Sequence, residues 1–242
     1  MNPENLNLNS VLKSADFVKS VLQLQPRLAV FDCDGTLWAG DAGLGFFEWE
    51  LTRGLVSDET VRWARARYAD FRAGKVSEDD ICADMVTINS GLSEAEVVRA
   101  TFPFFEEKMA QGIFSEMKAL VLELQLLGCE VWAVSSTSEW VIQAGMKHFG
   151  IPPERVLAAV VAVKYGRVTD KMIRVPSGPG KPEAIRKVIG RTPDAVFGNS
   201  IWDVDMLEIA RQAFAINPTA ELDGIARRRR WPIYFPESVL RS

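Results

Sequence analysis

Two aspartates separated by one residue follow a short apolar run in the segment FDCDGTLW, at residues 31–38. The apolar run at residues 28–31 is typical of a short buried strand, and the glycine and threonine that follow the aspartates are typical of a turn. Residues two apart in an extended chain point to the same side, so Asp32 and Asp34 can face one ligand while Cys33 faces away. The segment therefore predicts an α/β sheet with a ligand site at the carboxyl ends of its strands.

The paired carboxylates suit phosphoryl transfer. Asp32 can attack a phosphoryl group, and Asp34 can protonate the leaving oxygen. Two close anions raise the pKa of one of them, which suits the acid, and they also require a cation to hold the pair. Mg²⁺ is the natural cation because it prefers hard oxygen ligands and phosphate oxygens. The alternative is a solvated turn after a strand, and the four residues alone do not decide between the two.

A second candidate segment follows the apolar residues 131–134. Ser135 lies at the tip of this predicted strand, where we expect it to contact phosphate, since a helix N-terminus beyond it would attract an anion. Ser136 is a further phosphate-binding candidate. The alternative for its hydroxyl is helix capping, because the residues up to Glu139 read as a capping box at the start of a helix over residues 138–149.

Two later segments carry the remaining candidates. Lys181 precedes a proline at the predicted start of a helix, where a cation is unfavourable unless an anion lies nearby; the alternative is a solvated lysine. Asn199 ends an apolar strand, and its amide oxygen can bind a cation without contributing charge, which predicts weaker metal binding than an aspartate gives. Asp203 is a metal-site candidate, although it can also form a capping box with Ser200.

Four segments in this order resemble the motifs of the haloacid dehalogenase superfamily of phosphotransferases, and within it those of the phosphoserine phosphatase-like branch. The first is DxDGTL after an apolar strand, the second is an apolar strand ending at Ser135, and the third is Lys181 in GKPEAI. The fourth is the family's GDxxxD, matched here by GNSIWD with Asn199 in place of the first aspartate. The resemblance covers residues 28–217 and is specific because order, spacing and strand context all agree.

The resemblance implies a Mg²⁺-dependent phosphatase that hydrolyses a small-molecule phosphomonoester through an aspartyl-phosphate on Asp32. It implies that Asp34 acts as acid and then as base, and that Ser135 and Lys181 hold the phosphate. The implied ligands of Mg²⁺ are Asp32, the Asp34 carbonyl and Asn199, with Asp203 behind them.

Asn199 also keeps an alternative function open. A relative that has lost a metal-binding carboxylate can bind a phosphorylated ligand without turning it over, as a sensor or regulatory protein. Dehalogenase chemistry is a weaker alternative, because Asp34 and Lys181 together suit phosphate.

The hydrophobic periodicity of the chain predicts how it is divided into domains. Residues 40–112 show helical periodicity for about four helices, and their position resembles a helical cap over the active site. Strands and helices alternate elsewhere, which predicts a doubly wound, mainly parallel, Rossmann-like sheet formed by residues 1–39 and 113–242. A hairpin is expected around residues 165–167, and an amphipathic helix over residues 10–25 is expected outside the main core.

Substrate preference is expected to depend on the cap and the first loop. Phosphoserine phosphatases resemble the chain near residues 74–80 but then carry an arginine that binds the substrate carboxylate, where this chain has Met85. A glutamate that binds the substrate amine falls near Asp41. These differences predict an ester without a free carboxylate, such as an amine-bearing phosphate, and poor hydrolysis of phosphoserine. Trp38 is a further candidate for the substrate pocket, with core packing the alternative for it and for Met85.

Composition excludes other functions. The 242 residues carry a net charge of −4, with a pI near 5.3, which argues against nucleic-acid binding. Three scattered cysteines suggest neither a disulfide framework nor a zinc site, which favours a reducing cytoplasm. No apolar run approaches the roughly 20 residues of a membrane span. We therefore expect a monomer or homodimer whose partner is a small-molecule phosphomonoester.

Overall fold

The computed structural model describes residues 11–237; the predictions for residues 1–10 and 238–242 lie outside the described residues. The described part contains a single eight-stranded sheet in which neighbouring strands are parallel, except for one antiparallel pair. The strands are β1 (Val11–Leu12), β2 (Leu28–Phe31), β3 (Glu130–Ser138), β4 (Val156–Lys164), β5 (Arg167–Arg174), β6 (Ala195–Gly198), β7 (Gln212–Ile216) and β8 (Ile233–Tyr234).

Ten α-helices connect these strands within the described residues, together with short 3₁₀ and π segments. None of the helices over residues 11–237 combines the length and the apolar character needed to cross a bilayer. The α-helices are α1 (Ser14–Gln23), α2 (Ala42–Arg53), α3 (Asp58–Arg72), α4 (Glu78–Thr87), α5 (Glu94–Phe104), α6 (Ser115–Leu126), α7 (Glu139–Met146), α8 (Gly180–Val188), α9 (Val204–Glu208) and α10 (Ala220–Arg229).

The order of the strands creates a crevice beside β2. The sheet runs β1-β8-β7-β6-β2-β3-β4-β5, so the chain builds outward from β2 to β5 and then returns to β6 on the other side of β2. Open sheets bind ligands where the winding direction reverses in this way. The antiparallel pair is the predicted hairpin, with Tyr165 and Gly166 at its turn.

Side chains of β2 alternate between the two faces of the sheet. Ala29 and Phe31 belong to the core on one face, and Leu28 and Val30 belong to the core on the other. A strand that is buried on both faces requires helices on both sides of the sheet. The predicted doubly wound α/β fold with inserted helices is therefore confirmed.

Stacked aromatic rings join β2, β6 and β7 on one face. Phe31 and Phe197 stack with ring centroids 4.1 Å apart, and Phe197 and Phe214 stack at 5.0 Å. Phe17 of α1 packs edge-on against this row and stacks on Tyr234 at 4.2 Å. The expectation that the N-terminal helix lies outside the main core is wrong, because Phe17 is fully buried within it.

The helices α2 to α5, called the inserted helices here, lie between β2 and β3 in the chain, and their number matches the prediction. Backbone hydrogen bonds fasten them to the β4–β5 hairpin. The N–H of Gly91 donates to the Val168 carbonyl at 2.8 Å, and the N–H of Val168 donates to the Leu92 carbonyl at 3.0 Å. The N–H of Glu94 donates to the Gly166 carbonyl, also at 3.0 Å. The hairpin thus holds the far end of the inserted helices.

Glu50, on α2, is a fully buried acid in surroundings that favour its protonated form. Its Oε2 accepts a hydrogen bond from Asn89 Nδ2 at 3.1 Å, while Glu50 Oε1 and Asn89 Oδ1 have no partner among residues 11–237. Burial raises the pKa of Glu50 well above its ordinary value of 4.5, and the Asn89 bond offsets only part of that effect. A proton on Glu50 would supply the donor that these two oxygens lack.

We predict that Glu50→Gln stabilises the protein at neutral and alkaline pH. Because the folded state holds the Glu50 proton more tightly than the unfolded state does, wild-type stability falls as the pH rises above 4.5. Glutamine removes this pH-dependent loss and keeps an acceptor for Asn89. Thermal unfolding at pH 8 should give a Tm about 2–4 °C above wild type, the shift that about 1 kcal/mol produces in a chain of this size.

The gain should shrink as the pH falls toward 4.5. Glu48→Gln, the same substitution at a half-buried position of α2, serves as the matched control and should leave Tm within about 1 °C of wild type. A lower Tm for Glu50→Gln at pH 8, or equal shifts for the two variants, would contradict the prediction.

Candidate active site

Asp32 follows β2 and is held from three directions. Its N–H donates to the Phe197 carbonyl at 2.9 Å, which fixes the backbone against the end of β6. Its Oδ2 accepts from Thr36 Oγ1 at 2.8 Å, and its Oδ1 accepts from Lys181 Nζ at 2.7 Å. The Asp32 carboxylate is thus buried but oriented by a cation and a hydroxyl.

Lys181 joins Asp32 to Asp203. Its Nζ also donates to Asp203 Oδ1 at 2.5 Å, and both Lys181 and Asp203 are buried. The Oδ2 atom of Asp203 accepts from the backbone N–H groups of Asn199 and Ser200, each at 2.9 Å. The capping box expected as the alternative for Asp203 is present. Asp203 therefore anchors Lys181 and the loop that carries Asn199.

The buried cluster carries an excess negative charge. It contains two carboxylates, Asp32 and Asp203, and one ammonium group, that of Lys181. Burial and then Asp203 raise the pKa of Asp32 to about 6, although Lys181 opposes the rise. Burial lowers the pKa of Lys181, but Asp203 and Asp32 outweigh it and hold that pKa above its ordinary value. A further cation close to Asp32 would balance the cluster.

The carboxylate of Asp34 accepts three hydrogen bonds. The donors are Trp38 Nε1 at 2.7 Å, the Ala42 N–H at 2.6 Å and Thr137 Oγ1 at 2.9 Å. Burial and then the charge of Asp41 raise the pKa of Asp34 to about 7. Of the two roles considered for Trp38, the structure supports core packing and not the substrate pocket, because Trp38 is fully buried against Phe105 and Phe149 and does not line the cavity. Its indole N–H donates to Asp34.

Asn199 lies over the turn that follows β2. A Cβ atom at Gly35, which has a φ of +76°, would lie 1.9 Å from Asn199 Nδ2, so this approach requires glycine. The backbone of Asn199 is hydrogen-bonded to Asp203 and Thr219, whereas among residues 11–237 its side-chain amide forms no hydrogen bond, which leaves the side-chain oxygen free for a cation. The described residues contain no cluster of three His, Cys, Asp or Glu side chains suited to a metal. A site here would combine one carboxylate with neutral oxygens, and such hard donors fit Mg²⁺.

The end of β3 differs from the prediction. The strand continues to Ser138, which pairs with Ala159 after a shift in register, and α7 begins at Glu139 without a side-chain cap. The expected capping box is therefore absent. Ser135 Oγ instead accepts from the Thr137 N–H at 3.1 Å, and Ser136 lines the cavity beside it.

A cavity of about 610 Å³ joins these groups to the inserted helices. Asp41 and Met85 line the cavity, and Met85 also packs against the small core of the inserted helices. Sequence reasoning did not find two charged lining residues, Arg72 on α3 and Glu78 on α4. The cavity wall includes Asp32, Asp34, Ser135, Ser136, Lys181 and Asn199 from the sheet side, and Asp41, Tyr68, Phe71, Arg72, Glu78 and Met85 from the other side.

Thr137 is the other functional candidate that the sequence did not reveal. Its signal was the unusual run of hydroxyl residues after β3, which resembled a helix cap more than a strand. Glu78 and Arg72 gave no signal, because only the packing of α3 and α4 over the sheet brings them to the cavity.

A family model and several known proteins match this chain. The family model described as haloacid dehalogenase-like hydrolase matches residues 29–208. The chain is 26% identical over 217 residues to a histidinol-phosphatase from Neisseria meningitidis serogroup C, covering 86% of this chain and 97% of that protein. It is also 26% identical over 216 residues to phosphoserine phosphatase SerB1 of Mycobacterium tuberculosis, covering 85% of this chain and 69% of that protein.

Two solved structures share the fold. A protein of unknown function from Bordetella pertussis Tohama I superposes with a TM-score of 0.77 at 20% identity, covering 86% of this chain and 97% of that one. A phospho-aspartyl intermediate analogue of phosphoserine phosphatase gives a TM-score of 0.57 at 16% identity, covering 89% and 97%. The predicted membership of the haloacid dehalogenase superfamily is confirmed, and the relatives that match include phosphatases. The chain belongs to the haloacid dehalogenase-like hydrolase family.

Proposed function

We propose that the protein is a Mg²⁺-dependent phosphatase that hydrolyses a small-molecule phosphomonoester through an aspartyl-phosphate intermediate. The observation that carries the proposal is the buried Asp32 carboxylate, which is oriented by Lys181 and Thr36 at the edge of a cavity that also holds Asp34. An oriented carboxylate beside a second acid suits attack on phosphorus followed by hydrolysis.

The steps follow from the placement of each side chain. Asp32 attacks phosphorus while Asp34 gives a proton to the leaving oxygen. Asp34 then takes a proton from the water that hydrolyses the Asp32 phosphate. Lys181 and Ser135, with Ser136 beside them, bind phosphoryl oxygens at the same end of the cavity. Such fixed charges and donors contribute most of the rate gain in phosphoryl transfer.

We propose that Mg²⁺ is held by the Asp32 carboxylate, the Asp34 carbonyl and the Asn199 amide oxygen. When bound, the ion supplies positive charge to the phosphoryl oxygens. Asp203 contributes indirectly by fixing the Asn199 backbone and Lys181.

We propose that residues 40–112 form a cap over a core made of residues 1–39 and 113–242. The inserted helices supply one wall of the cavity, and their α4 lies against the core strands. A wall of this kind excludes water during the reaction and contacts the leaving group. The leaving group therefore determines which ester fits.

The proposed substrate is an amine-bearing phosphate without a free carboxylate. Asp41 and Glu78 give the leaving-group end of the cavity negative charge, and Met85 offers no charge to a carboxylate. Histidinol phosphate, the ester implied by the name of the Neisseria relative, has this chemistry. Arg72 is an exposed cation at the same wall and is the residue that would favour a carboxylate instead.

We propose a cytoplasmic location and a monomeric or homodimeric enzyme, with neither nucleic acid nor membrane as a partner. The three cysteines, Cys33, Cys82 and Cys129, are all free thiols, which fits a reducing compartment.

We predict that wild-type protein releases phosphate from p-nitrophenyl phosphate with Mg²⁺ and that chelation of the metal abolishes the release. Asp32→Asn should lower kcat by at least about a thousandfold, because the amide cannot act as the nucleophile. Colorimetric phosphate release measures both effects.

Asp170→Asn, the same substitution at an exposed position of β5, is the matched control and should keep wild-type activity. If wild type and Asp32→Asn are equally inert at saturating Mg²⁺, the alternative of a phospho-ligand-binding protein accounts for the site instead.

We predict that Asn199→Asp lowers the Mg²⁺ concentration needed for half-maximal activity by about tenfold, because a carboxylate adds charge at a metal ligand. Titration calorimetry with Mg²⁺ should show tighter binding by a similar factor. Gln23→Glu adds the same charge at an exposed position of α1, away from the cavity, and should leave the Mg²⁺ requirement unchanged. An unchanged requirement in Asn199→Asp would remove this residue from the metal site.

We predict that histidinol phosphate and ethanolamine phosphate have kcat/KM values at least about tenfold above that of phosphoserine. The negative charges of Asp41 and Glu78 would repel a substrate carboxylate beside them. A tenfold difference in kcat/KM corresponds to about 1.4 kcal/mol of activation free energy. Steady-state kinetics with these three esters tests the prediction. Preference for phosphoserine, lost selectively in Arg72→Gln, would contradict it and identify Arg72 as the carboxylate-binding group.

A further inference from the structure

Three elements converge on the Asp34 carboxylate. Its Oδ1 accepts from Trp38 Nε1, in the turn after β2, and from the N–H of Ala42, the first residue of α2. Its Oδ2 accepts from Thr137 Oγ1, near the end of β3. The acid therefore touches the sheet, the turn and the first of the inserted helices at once.

We propose that Thr137 and Trp38 are positioning residues that orient Asp34 so that Oδ2 is the oxygen exchanging a proton with the leaving group. The inference rests on the proposed phosphatase function and goes beyond it by assigning this oxygen and its supports. In the first step the bond from Asp32 to phosphorus forms and the bond from phosphorus to the leaving oxygen breaks. The proton on Asp34 Oδ2 moves to that oxygen, which leaves as an alcohol.

The donor and acceptor chemistry of the neighbours determines which oxygen carries the proton. An indole N–H and a backbone N–H can only donate, so Oδ1 must accept from both Trp38 and Ala42. A hydroxyl can donate or accept, so Thr137 can face Oδ2 in either protonation state. The proton therefore resides on Oδ2, from which it passes to the leaving oxygen, while the Thr137 hydroxyl donates to the same Oδ2.

Packing fixes the supporting groups. Trp38 is fully buried with its ring 5.1 Å from that of Phe105, so its N–H cannot easily turn away from Asp34. A Cβ atom at Gly43 would lie 2.6 Å from Thr137 Oγ1, which shows how closely the first turn of α2 approaches this hydroxyl. The position of Asp34 is thus tied to the position of α2.

Leaving-group dependence tests the proposal. An aryl phosphate expels a stable phenolate and needs little proton donation, whereas an alkyl phosphate needs the acid. Thr137→Val, which keeps the shape but removes the hydroxyl, should lower kcat/KM for ethanolamine phosphate by about 10–100-fold, a large part of what a general acid contributes. The value for p-nitrophenyl phosphate should fall by less than about threefold. Trp38→Phe should likewise lower kcat/KM more for ethanolamine phosphate than for p-nitrophenyl phosphate.

Two controls separate positioning from general damage. Thr137→Ser retains the hydroxyl and should restore most of the alkyl-ester activity. In an Asp34→Asn background, Thr137→Val should cause no further loss of kcat/KM for ethanolamine phosphate relative to p-nitrophenyl phosphate, because no carboxylate remains to be oriented. Circular dichroism and Tm establish that each variant is folded.

Each outcome decides the proposal. Equal losses for both esters in folded Thr137→Val, or no loss, would overturn the positioning role while leaving the phosphatase function intact. A further selective loss in the Asp34→Asn background would also overturn it. Wild-type protein that releases no phosphate from either ester would overturn the proposed function, and the inference with it.

Discussion

The ion-pair chain from Asp32 through Lys181 to Asp203 holds the site together. Lys181 reaches across from α8 to two carboxylates that follow different strands, and all three groups are buried. Removing one partner from a buried ion pair costs about 3–5 kcal/mol, because a charge is left without compensation. The same chain leaves one negative charge in excess, at the wall of the cavity that Asn199 also lines. Structural stability and the demand for a cation therefore come from the same three side chains.

The inserted helices take part in this arrangement at two points. Their first residue, Ala42, donates to Asp34, and their far end is bonded to the β4–β5 hairpin through Gly91 and Glu94. Movement of α2 would therefore change the geometry of the acid, whereas the hairpin restrains the opposite end. Under the proposed mechanism, proton transfer by Asp34 would therefore depend on the position of α2.

The features of the fold that depend on local sequence patterns could be predicted from the sequence. Apolar strands and the polar residues after them are periodic features, so the placement of Asp32 and Asn199 at neighbouring strand ends followed from parallel pairing. The end of β3 could not be predicted from local patterns, because Ser138 pairs with β4 only after a shift in register. The contacts of Trp38 and the exposure of Glu78 to the cavity could not be predicted from the sequence either. Each depends on packing between segments that are distant in the chain.

Covalent trapping tests the central claim, that Asp32 becomes phosphorylated, most directly. Wild-type protein and Asp34→Asn, in which hydrolysis of the intermediate should be slow, would be mixed with a radiolabelled phosphomonoester and Mg²⁺, quenched in acid and digested. The account predicts hydroxylamine-labile label on the peptide that contains Asp32, with more label in the variant. Phosphate release without any protein-bound label in either protein would contradict it.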